Sequence, residues 1–235
     1  MEELAVLVGP TLGLSRRGEA QVRVAWAGCA RELRILELPH RGLQPVEASY
    51  AALEPMLLRW SELRPLVLAG WSQGGLIAVL FALRHPNRVR QLLVLAPPFA
   101  GTPRAHLVAW SSPFVAQMRP GSLWLRQFAD EVATGAAGLP ETHVLVALRD
   151  AVVPVGSSLL PAAAQATYHC FGSRPASELR LPQELVVGYV WARGVGHLNL
   201  AFHPAVVRRL RQIVLGVAVE PAATSWRPEA EPFSA

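Results

Sequence analysis

Gly70-Trp71-Ser72-Gln73-Gly74 has the spacing G-x-S-x-G, and its surroundings give that spacing a chemical meaning. The run Leu66-Val67-Leu68-Ala69 directly before it reads as a strand, and Gly75-Leu76-Ile77-Ala78-Val79-Leu80 directly after it opens a helix. A sharp strand-to-helix turn of this kind lifts a serine hydroxyl above the sheet edge, and it needs glycines where strand and helix close up. The helix N-terminus behind Ser72 would also favour negative charge developing there. The plainer alternative is a glycine-rich turn with an incidental serine.

Serine attacks only when a base takes its proton, and that base needs an acid to fix its tautomer. With an elbow serine the partners follow in chain order, acid and then histidine. The chain holds two aspartates, Asp130 and Asp150. Asp150 follows the expected strand His143–Leu148, at the carboxyl end where ligands gather in open α/β sheets. Asp130 falls inside a long excursion, while Glu141 and Glu184 precede their strands and fall at the opposite edge. A turn aspartate capping its own loop is the alternative for Asp150. Only His197 and His203 follow the last expected strand. His197 lies in the glycine-supported loop Gly194-Val195-Gly196-His197-Leu198, whereas His203 precedes Pro204 and reads as a helix cap. His40 precedes Ser72 and reads as a loop residue at the pocket's edge of the sheet. The expected triad is therefore Ser72, Asp150 and His197.

An oxyanion hole needs backbone N–H donors aimed at the tetrahedral intermediate. One should be Gln73, directly after the nucleophile. The other should come from Gly9-Pro10-Thr11-Leu12-Gly13 after the first strand; Pro10 has no N–H, so Thr11 or Leu12 must supply it. The Thr11 hydroxyl could add a further bond. No His/Cys/Asp/Glu spacing resembles a metal-ligand set, so no metal and no cofactor is expected.

The elements that must hold these residues read as a parallel sheet covered on both faces. Expected strands are Glu3–Val8, Leu33–Leu38, Pro65–Ala69, Gln91–Ala96, His143–Leu148 and Leu185–Trp191. Helical patterns cover Gly18–Arg31, Ala48–Leu63, Gly75–Arg84 and Pro204–Val217. The long connection Pro97–Thr142 carries Leu107, Trp110, Phe114 and Met118 at helical spacing, then Leu123, Trp124 and Phe128. Either a helical pair caps the sheet here, or a lid lines a substrate pocket with Trp110, Phe114 and Met118, beside Trp71 of the elbow. One unit over residues 1–219, with the lid-like insertion at about 97–142, leaves a proline-rich tail at 220–235 that is expected to be disordered.

Composition narrows the class. The 235 residues are 51% hydrophobic and 17% charged, which excludes a disordered chain. All 22 basic residues are arginine, against 17 acids, giving a net charge of +5. The arginines are scattered in small groups and not clustered with aromatics, so nucleic acid is not an expected partner. No apolar run approaches the roughly 18 residues of a membrane span. Met1-Glu2-Glu3 lacks the positive start of a signal peptide, so the expected location is cytoplasmic, with secretion if the N-terminus is incomplete. Cys29 and Cys170 have no motif spacing and are expected reduced and structural, with a disulfide between them as the alternative for an exported protein.

The chain resembles bacterial lipases and esterases of the α/β-hydrolase superfamily, particularly small triacylglycerol-lipase-like members. The resemblance rests on Gly70-Trp71-Ser72-Gln73-Gly74-Gly75-Leu76, on Gln117 to Leu125 in the lid region, on Asp150-x-x-Val153-Pro154, and on Gly194 to His197 with Phe202-His203-Pro204. It covers roughly residues 65–215 and implies the same triad. The chain departs from it at Leu7-Val8-Gly9-Pro10, where the family usually ends its strand in His-Gly, and Ser72 is expected to lie too near the start of this sequence for the strands that many members carry before this point. The expected fold is α/β, a minimal α/β-hydrolase with about six mostly parallel strands flanked by helices. The expected activity is hydrolysis of carboxylic esters, on a small-molecule ester or lipid substrate and with transient contact to lipid surfaces. A thioesterase or acyltransferase would use the same triad, and a non-catalytic hydrolase-like binding protein is the alternative of another class. Oligomeric state is not legible.

Overall fold

The computed structural model describes residues 4–107, 112–161, 166–173 and 186–217. Seven strands form one sheet: β1 (Leu4–Val8), β2 (Glu32–Leu36), β3 (Leu66–Trp71), β4 (Val89–Leu95), β5 (Glu141–Ala147), β6 (Thr167–Gly172) and β7 (Val186–Trp191). Their order is β2-β1-β3-β4-β5-β6-β7, and every neighbouring pair is parallel. The helices are α1 (Arg16–Trp26), α2 (Val46–Trp60), α3 (Gln73–Arg84), α4 (Pro113–Gln117), α5 (Leu123–Gly135) and α6 (Pro204–Val214).

Strands buried on both faces read as continuous apolar runs, and alternate residues feed two cores. Val6, Val8, Leu66 and Leu68 face one core with α2, α3 and α5, where Phe99, Trp124 and Phe128 stack. Ala5, Leu7, Val67 and Ala69 face the other with α1 and α6. Helix α3 is apolar nearly all round because Gln73 through Ala82 are all buried. Trp26 ties α1 to the approach of α6 by donating its indole N–H to the carbonyl of Ala201 at 2.8 Å.

The sheet has one strand beyond the six expected. β6 lies between the strand that precedes Asp150 and the strand that precedes His197. Its sequence Thr-Tyr-His-Cys-Phe-Gly lacks an apolar run, because His169 is buried in mid-strand with a polar partner at hand: the His143 ring, 3.1 Å away. The β-prone Thr167, Tyr168 and Phe171 were the available signal.

The long connection also differs from its spacing. Leu107 to Met118 do not share one helix: α4 begins only at Pro113, with Ser112 as its N-cap accepting from the N–H of Val115 at 3.2 Å. Proline suits a first helical turn and disfavours helix before it. Leu107 is exposed, Phe114 and Met118 are buried, and Trp110 lies outside the described residues. The tail at 220–235 also lies outside them.

Parallel register brings the carboxyl ends of the strands to one edge. Val8 stands beside Gly70, Trp71 beside Leu95, Leu95 beside Leu145, and Gly172 beside Trp191. The loops that follow β1, β3, β5 and β7 therefore emerge together.

Candidate active site

Ser72 occupies the turn between β3 and α3 at φ 57°, ψ −119°, a conformation that costs a non-glycine residue of the order of 1–3 kcal/mol. Its N–H donates to the carbonyl of Leu95 at 2.8 Å. The flanking glycines are steric necessities. A Cβ on Gly70 would stand 2.3 Å from the carbonyl oxygen of Gly74, and one on Gly74 would stand 2.2 Å from that of Val8.

Three predicted residues meet here. His197 Nε2 lies 3.0 Å from Ser72 Oγ, and His197 Nδ1 lies 2.7 Å from Asp150 Oδ2. Ser72 and His197 are each 8% exposed, and the Asp150 side chain 2%. The other carboxylate oxygen, Oδ1, accepts from the N–H groups of Val152 and Val153 at 2.7 and 2.8 Å. That arrangement holds the carboxylate as an acceptor and places the imidazole proton on Nδ1. Nε2 is then free to accept from the serine hydroxyl. Asp130 is exposed on α5, away from these groups, and His203 caps α6 by accepting from the N–H of Ala205.

The loop that carries His197 is buckled by a residue that the sequence reading missed. Asn199 accepts from the N–H of Gly196 and donates to the carbonyl of Gly194, each at 2.8 Å. Trp71 reaches the same loop, its indole N–H donating to the carbonyl of His197 at 3.1 Å. The available signal for Asn199 was its type, since Asn favours turns through local backbone bonds.

Of the two candidates for the second N–H donor, one is already committed. The N–H of Leu12 donates to the carbonyl of Arg41 at 2.8 Å, whereas that of Thr11 has no partner among the described residues. The N–H of Gln73, first in α3, is likewise without one among them. The Thr11 hydroxyl donates to Gln73 Oε1 at 2.8 Å, and the fully buried Gln73 amide rests against Gly42. Arg41 also reaches back to Leu12, its guanidinium donating to the Leu12 carbonyl at 3.4 Å. His40 and Arg41 both hold left-handed conformations (φ 47° and 57°), so the loop after β2 is strained where it braces the loop after β1.

A cavity of about 590 Å³ opens over Ser72 and His197. Its walls are mostly apolar, from Leu12, Leu14, Phe114, Met118, Val153 and Phe202. Trp71 lines it too, while Arg17, Thr102 and Arg104 are among its polar members. It lies within the 300–1,000 Å³ range usual for small-ligand pockets. Among the described residues no group of three or more His, Cys, Asp or Glu could hold a metal ion.

A family model described as serine aminopeptidase, S33, matches residues 45–156, a stretch that includes Ser72 and Asp150 but neither Thr11 nor His197. No curated protein matches the chain in sequence. Several solved structures share the architecture. Phospholipase PlaB from Legionella pneumophila is 12% identical with a TM-score of 0.62, over 89% of this chain and 58% of that one, so this chain spans little more than half of PlaB. Est1E from Butyrivibrio proteoclasticus is 14% identical with a TM-score of 0.57, over 92% and 89% of the two chains. A thermophilic esterase from Thermogutta terrifontis is 17% identical with a TM-score of 0.56, over 92% and 90%. By its parallel sheet, its strand-to-helix elbow and these likenesses, the chain is an α/β-hydrolase in fold.

Proposed function

We propose that this chain is a serine hydrolase that cleaves carboxylic esters of apolar acyl groups through an acyl-Ser72 intermediate. The observation that carries the reading is the hydrogen-bonded series Ser72–His197–Asp150 at the floor of an apolar cavity. In the first step His197 Nε2 takes the hydroxyl proton as Ser72 Oγ bonds to the ester carbonyl carbon. The carbonyl oxygen becomes an oxyanion, held by the N–H groups of Gln73 and Thr11. Collapse breaks the bond to the alcohol oxygen, which receives the proton from His197. Water then repeats the cycle on the acyl-serine, giving its proton to His197 and releasing the carboxylic acid and free Ser72. Asp150 holds the imidazole in the required tautomer throughout.

The match to a serine aminopeptidase model raises the rival of a peptide substrate with a free α-amine. The cavity favours the ester. Among the described residues its lining carries the guanidinium groups of Arg17 and Arg104 and no Asp or Glu to receive an ammonium group. Relatives in fold that are named as esterases and a phospholipase agree with this choice.

The test is labelling with a fluorophosphonate probe alongside assays on nitrophenyl esters and aminoacyl anilides. The expected result is label on Ser72, ester turnover, and loss of both in Ser72→Ala with little change in melting temperature. Ester turnover surviving in Ser72→Ala, or anilides preferred over esters, would overturn the reading.

A further inference from the structure

Helix α1 carries two unlike faces. Val22 and Trp26 are buried in the core, whereas Arg17, Ala20, Gln21 and Val24 recur at i, i+3, i+4 and i+7 on another side. Val24 is 77% exposed there. Helix α6 repeats the pattern: Val206, Leu210 and Ile213 are buried, while Val207 and Arg208 turn towards α1. Between these second faces runs a groove of about 620 Å³ with Ala20, Val24, Pro204 and Val207 along it.

This groove borders the cavity above Ser72. Arg17, Gln21 and Phe202 line both, so Arg17 stands at the junction of two apolar spaces of similar size. Neither Arg17 nor Arg208 has an ion pair or hydrogen bond among the described residues, and no Asp or Glu lines either space. A guanidinium left open at the fork of two apolar channels matches a ligand with an anion between two hydrocarbon chains. Its planar donor fork suits phosphate in particular.

We propose that the substrate is a diacyl glycerophospholipid. Its scissile acyl chain enters the cavity over Ser72, its second chain lies along the α1–α6 groove, and its phosphate meets Arg17. The substrate assignment rests on the ester-hydrolase reading; the binding site does not, and the test separates them.

Full-length Ser72→Ala protein is titrated calorimetrically with monomeric dihexanoyl phosphatidylglycerol, dihexanoylglycerol, the corresponding lysophospholipid and glycerol phosphate. The diacyl phospholipid should bind at least roughly ten-fold tighter than the neutral diacylglycerol, the scale of one charge-assisted contact. Arg17→Gln should remove most of that ratio. Val24→Glu, at an exposed position that tolerates charge, should remove the preference of diacyl over lyso. Equal affinity for the phospholipid and the diacylglycerol would overturn the phosphate site, as would a ratio unmoved by Arg17→Gln. Glycerol phosphate binding as tightly as the phospholipid, or a diacyl-to-lyso ratio unmoved by Val24→Glu, would overturn the groove. If the binding pattern holds while wild-type protein hydrolyses neither this lipid nor nitrophenyl esters, the hydrolase reading fails and the binding site stands.

Discussion

Asp150 gives its two carboxylate oxygens different tasks, one to the N–H groups of its own loop and one to His197. Asp150→Asn retains an oxygen for the loop and places an amide opposite Nδ1, which favours the wrong tautomer of His197. Under the proposed mechanism kcat on a nitrophenyl ester should fall by about 10⁴, by analogy with serine proteases, with the melting temperature nearly unchanged. Asp130→Asn, on the exposed face of α5, should change neither; equal losses at both positions would refute the assignment. Asp150 stood out as one of two aspartates and the one after a strand, Ser72 by its G-x-S-x-G spacing, and His197 as a loop histidine after the last expected strand. The brace around Thr11 was not legible. Pro10 excluded itself as a donor, but choosing between Thr11 and Leu12 required the bond from Leu12 to Arg41, which depends on two consecutive left-handed residues that local preference disfavours.

Helix α4 spans five residues, too few to hold itself without outside contacts. Gln117 supplies them: its Oε1 accepts from the N–H of Val46 at 2.8 Å, and its Nε2 donates to Glu47 at 2.9 Å. Phe114 on this helix is both a core residue and a cavity wall, so its truncation has two readouts. Phe114→Ala should lower stability by about 3 kcal/mol or more through the space left behind. If the ring also meets the acyl chain, kcat/KM for octanoyl over acetyl esters should fall about ten-fold, since a buried methylene contributes about 0.8 kcal/mol. Loss of stability with an unchanged ratio would leave Phe114 a packing residue alone. At this scale the apolar strands, α2, α3 and α6 were readable because burial on two faces, or on one stripe, writes a regular pattern. β6 was not, because the partner that lets His169 be buried in mid-strand is found only in the tertiary structure, and around α4 the apolar spacing ran across Pro113, which starts a new helix there.

Across the whole molecule, one part of the acid response arises at a buried histidine pair outside the triad. His143 and His169 are buried against the α6 side of the sheet, with Glu141 2.9 Å from His143, Gln91 bonded to Glu141, and the Arg209 charge acting on His169. Burial first, then the charges of His143 and Arg209, push His169 down to about 3; burial also lowers His143, against the pull of Glu141. Above the ordinary value of about 6.5 both states of the chain are neutral at His169. As pH falls from there towards about 3, the unfolded chain takes a proton that the folded one refuses. Stability should therefore decline, by up to about 1.4 kcal/mol per pH unit. His169→Leu should flatten the change in urea midpoint between pH 7 and about 5; a slope equal to wild type would contradict this. The order of the sheet has a separate consequence. Ser72 and Asp150 follow interior strands, but His197 follows β7, which among the described residues has a neighbour on one side only, β6. Edge elements open locally at lower cost than the interior. Mild denaturant should thus disarm the protein before melting it, with ester turnover vanishing at a lower urea concentration than the far-ultraviolet circular dichroism signal. The same asymmetry applies during synthesis and refolding: most of the sheet can assemble before His197 is positioned, so under the proposed mechanism hydrolysis begins only once β7 has docked.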